Sequence, residues 1–582
     1  MKRTLATIFL GALIALLGAH GAARAQVRGS RHDLTVSGAV AFNAPGPAAT
    51  AQEEGVCIFC HTPHRAPAQT PLWNRRMPRL VYTPYSSSTL QASPGQPTGD
   101  SKLCLSCHDG TIALGAVLSR ELPAAAMGRA LSGRARLSTD LSDDHPISFD
   151  YDAALAAADP EIVYPQSLPS HIRLDGAGQM QCTSCHDSHN TGFDHFLVMD
   201  AAYSALCTSC HDKAGWSGSS HDSSPATWSG AGVDPWAHTD WTTVAANGCE
   251  NCHAPHTSGS PEWLLNFPME EDNCLCCHNG EVAQKDIAAE LHKPFRHAVD
   301  AYLKVHDPME DLASMPRHVE CQDCHNPHAA VGAEAQAPYV SGALQGLAGL
   351  DGSGQRVERA EYQYQVCFRC HADEAGAPPP FIERQVVQLS VQLKTDVTNP
   401  SYHPIEGPGR NPDVPSLIFP LIESSMIYCT DCHANDAGPG AGGLGPSGPH
   451  GSSWPFLLER EYRVADGTSE SYQAYALCYK CHDREAILSD TSFPSHRKHI
   501  EEERAPCSAC HDPHGISATQ GSPINHAHLI NFDTSIALPL ESGASAGRLE
   551  FVDLGDRAGE CWLQCHVDGL GGGLHEGRRY GP

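Results

Sequence analysis

Aromatic residues are scarce in this chain of 582: Phe, Tyr and Trp together make up 7%, and hydrophobic residues of all kinds reach only 41%. So little apolar volume per residue excludes ordinary domains packed around side-chain cores, and requires something else to fill the interior. Basic residues are also few. There are 38 Lys and Arg against 67 Asp and Glu, a formal charge of −29. That excludes a nucleic-acid binder, which would show a basic stripe, and electrostatic docking on anionic lipid. Beyond the N-terminus no apolar run approaches the roughly 20 residues of a membrane span. No heptad is sustained, and 52 Gly with 43 Pro exclude a coiled coil and long regular elements.

The N-terminus reads as an export signal over residues 1–25. Lys2 and Arg3 form the charged start, Leu5 to Leu17 a short apolar segment, and Ala23-Arg24-Ala25 the small-x-small cleavage pattern before Gln26. No cysteine sits at the cut, so a lipid anchor is not indicated. Removing Lys2, Arg3 and Arg24 takes the formal charge from −29 to −32. The expectation is a soluble, acidic, exported protein, periplasmic or extracellular and outer-membrane associated.

What is abundant is cysteine, 25, and histidine, 35. In an exported chain many cysteines ordinarily mean disulfides. Here the spacing decides otherwise. Cys-x-x-Cys-His occurs at Cys57/Cys60/His61, Cys104/Cys107/His108, Cys182/Cys185/His186, Cys207/Cys210/His211, Cys249/Cys252/His253 and Cys274/Cys277/His278. It continues at Cys321/Cys324/His325, Cys367/Cys370/His371, Cys429/Cys432/His433, Cys478/Cys481/His482 and Cys507/Cys510/His511. A twelfth set, Cys561/Cys565/His566, has one extra intervening residue, and Cys276 is left over as an expected passive thiol.

Cys-x-x-Cys-His is the attachment signature of c-type haem. Both thiols bind the porphyrin covalently, and the adjacent His is held beneath the ring to ligate iron. A disulfide framework has no use for that His, and zinc ribbons do not require it after every second Cys. The expected cofactor is therefore twelve covalent haems c, one per about 46 residues of the mature chain. Porphyrins then supply the apolar interior that the side chains lack.

The motifs pair into six doublets. CTSCHDSHNTGFDHFLVMDAAYSALCTSCHD and CENCHAPHTSGSPEWLLNFPMEEDNCLCCHN share a 25-residue spacing, a second His three residues after the first, and an apolar step. The first motif of each doublet supplies a candidate distal ligand: His64, His189, His256, His328 and His514, with His450 substituting where CHANDAGPG departs. The second is followed by a more distant candidate: His145, His221, His297, His403, His499 and His575. The +3 His is too close in sequence to reach over its own haem and is expected to cross to a neighbouring one. Ten further histidines stay unallocated: His171, His195, His238, His292, His306, His526 and His528, with His32 and His318 competing for ligand roles and His496 competing with His499.

The pattern CxxCHxPH, apolar step, CxxCH resembles the doubled-CxxCH family of multihaem cytochromes c. GVCIFCHTPH, CLSCHDGTIALG and RHVECQDCHNPH look like the respiratory and extracellular electron-transfer cytochromes of metal-reducing bacteria. The resemblance implies a haem-packed fold, mostly coil with short helices and very few strands, passing electrons along closely packed haems. It implies other redox proteins as partners, cytochromes or quinol-linked donors, with outer-membrane complexes or extracellular metal acceptors beyond them. Two imidazoles saturate an iron, so a carrier and not an enzyme is expected. The alternatives are a reductase of a small nitrogen or sulfur compound with one open haem, sought at Cys429 or Cys561, and a subunit of an extracellular cytochrome filament. No CxxCK marks an open haem. The longest motif-poor gaps divide the chain at 26–245 (four haems), 246–330 (three) and 331–582 (five), as one continuous haem chain.

Overall fold

A computed structural model describes residues 27–35, 55–64, 72–120, 131–307, 318–373, 380–565 and 573–581. The export segment, residues 1–25, and His566 lie outside them. The chain divides into two compact units. One comprises Met1–Trp216 with Trp236–Met269 and carries the motifs from Cys57 to Cys249. The other comprises Ser217–Pro235 with Glu270–Pro582 and carries those from Cys274 to Cys561. The cut falls at 269/270, inside the third doublet, and not at the motif-poor gaps.

Most of the described chain is coil, as the Pro and Gly content predicts. The two longest described helices, α1 (Gly99–His108) and α2 (Gln363–His371), both end on a motif His. The buried apolar residues form separate clusters, such as Phe149, Tyr151 and Met180, and Ala474, Tyr475, Tyr479, Leu488 and Ile500. No cluster is large enough to serve as the core of its unit.

Each of the eleven CxxCH motifs is one helical turn. The His N–H donates to the carbonyl of the first Cys four residues back: 2.7 Å at His61, 2.9 Å at His186, His211 and His278, and 3.0 Å at His253, His325, His433, His482 and His511. Residues at i, i+3 and i+4 share a face of such a turn, so both thiols and the imidazole point the same way. Cys252 shows how the second thiol is fixed. Its N–H donates to the Cys249 carbonyl (3.2 Å), and its own carbonyl accepts from Asn266 N–H (2.8 Å), just past the apolar Trp263-Leu264-Leu265. Cys370 is fixed differently, by the last turn of α2, between Cys367 and His371.

In three motifs a polar third residue caps the turn. Ser184 Oγ accepts from Gln181 N–H (3.1 Å), Asp323 from Glu320 N–H (2.9 Å) and Asp431 from Tyr428 N–H (2.8 Å). These capping contacts satisfy orphan donors of a turn too short to satisfy its own.

The C-terminus departs from this plan. Strands β1 (Ala537–Leu538), β2 (Glu550–Gly555), β3 (Ala558–Cys565) and β4 (Leu574–Tyr580) form an antiparallel sheet in which β3 pairs with the other three. The twelfth pair of cysteines thus lies on an extended strand. Elsewhere the described strands are two-residue ladders, such as Phe149–Asp150 against Gln179–Met180.

Candidate haem-binding sites

The apolar step after the first motif of a doublet positions its histidine. His186 Nδ1–H donates to the His195 carbonyl (2.9 Å), His253 to Trp263 (2.8 Å), His433 to Phe456 (2.9 Å) and His511 to His528 (2.9 Å). All four acceptors begin a pair of left-handed, non-glycine residues: His195–Phe196, Trp263–Leu264, Phe456–Leu457 and His528–Leu529, with φ between 51° and 63°. Such pairs are costly for L-residues and persist only where the surroundings impose them. A carbonyl only accepts, so each Nδ1 carries the proton and each Nε2 presents its lone pair. Burial pushes His186 and His511 down to about 4, so the imidazoles are neutral at pH 7, the form a metal requires.

Opposite ten of the motif histidines stands a second imidazole. In the first unit the centroid separations are 6.0 Å for His61/His189, 6.2 Å for His108/His32, 6.1 Å for His186/His256 and 6.2 Å for His211/His145. In the second they are 6.2 Å for His278/His221, 6.0 Å for His325/His450 and 6.4 Å for His371/His297. His433/His514 follows at 5.9 Å, His482/His403 at 6.5 Å and His511/His496 at 6.4 Å.

Direct stacking does not explain these distances. Parallel rings in contact lie closer, as His32/Phe196 (4.3 Å, 9°) and Tyr302/His318 (3.9 Å, 17°) do. His325/His450 and His433/His514 are as parallel, at 9° and 5°, yet about 6 Å apart. Metal–imidazole bonds of about 2 Å on each side, plus about 1 Å from each ligating nitrogen to its ring centre, place an axial pair about 6 Å apart. The residues fit a haem iron between them, with the flanking thiols at its edge.

The partners do not come from the same doublet. His189, His256, His450 and His514 each cross to the first motif of the preceding doublet. The residue before each of them steadies the second site of that doublet. The Pro255 carbonyl accepts from His145 N–H (2.8 Å), and Pro449 accepts from His297 Nδ1 (3.1 Å). Pro513 likewise accepts from His403 Nδ1, and Pro327, just before His328, from His221 Nδ1 (2.9 Å). The dipeptides Pro255-His256, Pro449-His450 and Pro513-His514 therefore each touch two sites of the doublet before them.

This interlock accounts for the histidines that counting placed differently. His64 has the same local sequence, but it belongs to the first of the six doublets. It is exposed, and no imidazole faces it among the described residues. His108 is instead faced by His32, and His511 by His496, both outside the predicted set. His499 and His575 face each other, 5.8 Å apart. His328 N–H donates to Asn326 Oδ1 (3.0 Å).

The motifs also touch in sequence order. Cys104 donates to Cys182, Cys207 to Cys249, Cys367 to Cys429 and Cys478 to Cys507, all first cysteines meeting across doublet boundaries. Within doublets Cys60 lies near Cys107, Cys185 near Cys210, Cys324 near Cys367 and Cys370, Cys432 near Cys481 and Cys510 near Cys561. In a loaded chain these sulfurs are thioethers, so consecutive porphyrins would meet edge to edge. Of the two second cysteines fixed by their turns, Cys370 thus joins the series beside Cys324. Cys252 is placed by its backbone bonds to Cys249 and Asn266. Both are half-buried, as an attachment sulfur at a porphyrin edge would be. Cys276 is half-buried too, its sulfur 3.9 Å from that of Cys277.

Residues 176–215 and 242–283 match the family described as the doubled CXXCH motif. No curated protein matches the chain. The doubled motif over these residues and the coil-rich fold suggest a multihaem c-type cytochrome-like protein, with covalent haem c at its CXXCH motifs and a part in electron transfer. Among the described residues no helix is long and apolar enough to cross a membrane.

Proposed function

We propose that this chain is an exported dodecahaem c-type cytochrome that carries electrons along bis-histidine haems and catalyses no reaction of its own. The observation that supports the reading best is the set of ten imidazole pairs at 5.9–6.5 Å, each joining a motif His to a His from elsewhere. Haem with two imidazoles supplies one-electron exchange and leaves no position open to substrate. The protein then sets where each ring sits and how readily it is reduced. Edge contacts in sequence order give a series of five sites in the first unit, Cys57 to Cys249, and six in the second, Cys321 to Cys561. The acidic surface favours the ferric state and lowers the potentials.

Partners on this reading are other redox proteins, with cytochrome or quinol-linked donors upstream and outer-membrane complexes or extracellular metal acceptors downstream. At the Cys429 site, a candidate for an open haem, His514 faces His433, which supports the carrier reading there. Intact mass and haem content test the count, with twelve haems expected. Carbon monoxide tests the coordination. The reduced, untreated protein is expected to bind none, and stoichiometric binding would favour the reductase.

A further inference from the structure

His499 and His575 form a pair unlike the others, because neither belongs to a motif. Their centroids are 5.8 Å apart with planes at 32°, close to the geometry of the ten mixed pairs. Each Nδ1 is occupied, His499 donating to the Ser495 carbonyl (2.7 Å) and His575 bonded to the Tyr580 hydroxyl (2.6 Å). Each Nε2 is therefore the nitrogen left to bind a metal, as in the mixed pairs.

The sheet brings this pair to the twelfth set of cysteines. Successive side chains alternate across a strand, so Cys561, Leu563 and Cys565 share one face of β3. His575 on β4 is registered directly opposite Leu563. Directly opposed residues of an antiparallel pair project to the same side. Tyr580, opposite Gly559, falls on that face as well. One face of the β3–β4 hairpin thus presents two thiols, an imidazole and the hydroxyl that orients it, and His499 approaches it within 6.0 Å of the Tyr580 ring. Cys510 lies against Cys561 and Cys565, so this face continues the series from the eleventh motif.

We infer that His499 and His575 are the two axial ligands of the haem iron at Cys561/Cys565, and that the motif's own His566 is not a ligand. The inference rests on the reading of Cys561/Cys565 as a haem site. Two imidazoles fill both axial positions and leave none for His566. A strand in place of a helical turn agrees with this. In the other eleven motifs the turn delivers the adjacent His to the same face as the thiols. The strand Ala558–Cys565 has no i, i+4 face, so the local device that presents the motif His elsewhere is absent here.

The test uses the full-length holoprotein, with haem counted by intact mass and spin state by low-temperature EPR. His499→Ala and His575→Ala are each expected to convert one haem in twelve from low-spin to high-spin. The double variant is expected to convert that same one and not two. Added imidazole should return each single variant to low-spin, which separates a lost ligand from a misfolded region. His566→Ala molecules that retain twelve haems are expected to stay low-spin throughout. The inference is overturned if either single variant is silent, if the double variant opens two haems, or if His566→Ala opens one. A wild-type count of eleven with Cys561 and Cys565 free would refute the haem-site reading itself, and the inference with it.

Discussion

Replacing His450 by Ala should open the haem at Cys321 and leave the haem at Cys429 closed, although His450 follows the Cys429 motif in sequence. The His450 ring stands 6.0 Å from that of His325, nearly parallel to it. It is 17 residues beyond His433, yet His433 faces His514. On the proposed count of twelve bis-histidine haems, one haem in twelve, about 8% of the total, should become five-coordinate and bind carbon monoxide when reduced. Losing a strong donor to ferric iron should also raise that haem's potential. Pro449, whose carbonyl holds His297, stays in place, so His371/His297 should remain closed. The assay is carbon monoxide stoichiometry, followed by brief peroxide exposure and peptide mass mapping of oxidised side chains. Oxidation should centre on residues 321–325. Oxidation centred on 429–433, or no carbon monoxide binding at all, would refute the reasoning that doublets complete each other.

The same interlock makes His64→Ala silent: spin state and haem count should match the unmodified protein by EPR and mass, despite a CHTPH context like that of His256. Arg75 is fully buried with its guanidinium on the carbonyls of Ser106, Ala113 and Leu114. Arg75→Leu strands these acceptors and should cost about 3–5 kcal/mol in denaturant unfolding of the holoprotein. Phe456 holds φ 63° while its carbonyl accepts from His433. Phe456→Asn, tolerant of that backbone, should be nearly neutral, whereas Phe456→Val should cost about 1–2 kcal/mol and broaden the low-spin EPR signal of one haem.

The covalent chemistry was legible because it is local. Two thiols and an imidazole at i, i+3 and i+4 fit one helical turn, and the sequence states that spacing eleven times. The coil-rich fold was legible for a similar reason, since Pro and Gly act on their own segments. The facing imidazoles were only half legible. His145, His189 and His256 could be picked from their context, but nothing local separates His64 from His256. The difference is whether another doublet lies in front, which is a fact of the assembled chain. His32 and His496 face motif histidines near the two ends, where the repeat runs out and its pattern no longer predicts. The left-handed pairs, such as Trp263–Leu264, left no signal because neither residue is a glycine. The C-terminal sheet was missed because Cys561 was read through its motif and not through the alternation of the segment around it.

The most direct test of the account is the low-temperature EPR spectrum of the oxidised protein, integrated against a haem count from intact mass. Closed imidazole pairs throughout predict twelve covalent haems and low-spin signals that account for all of them. A high-spin signal equal to one haem, shifted by nitrite, hydroxylamine or sulfide, would contradict the carrier reading and mark that haem as the place where a substrate binds.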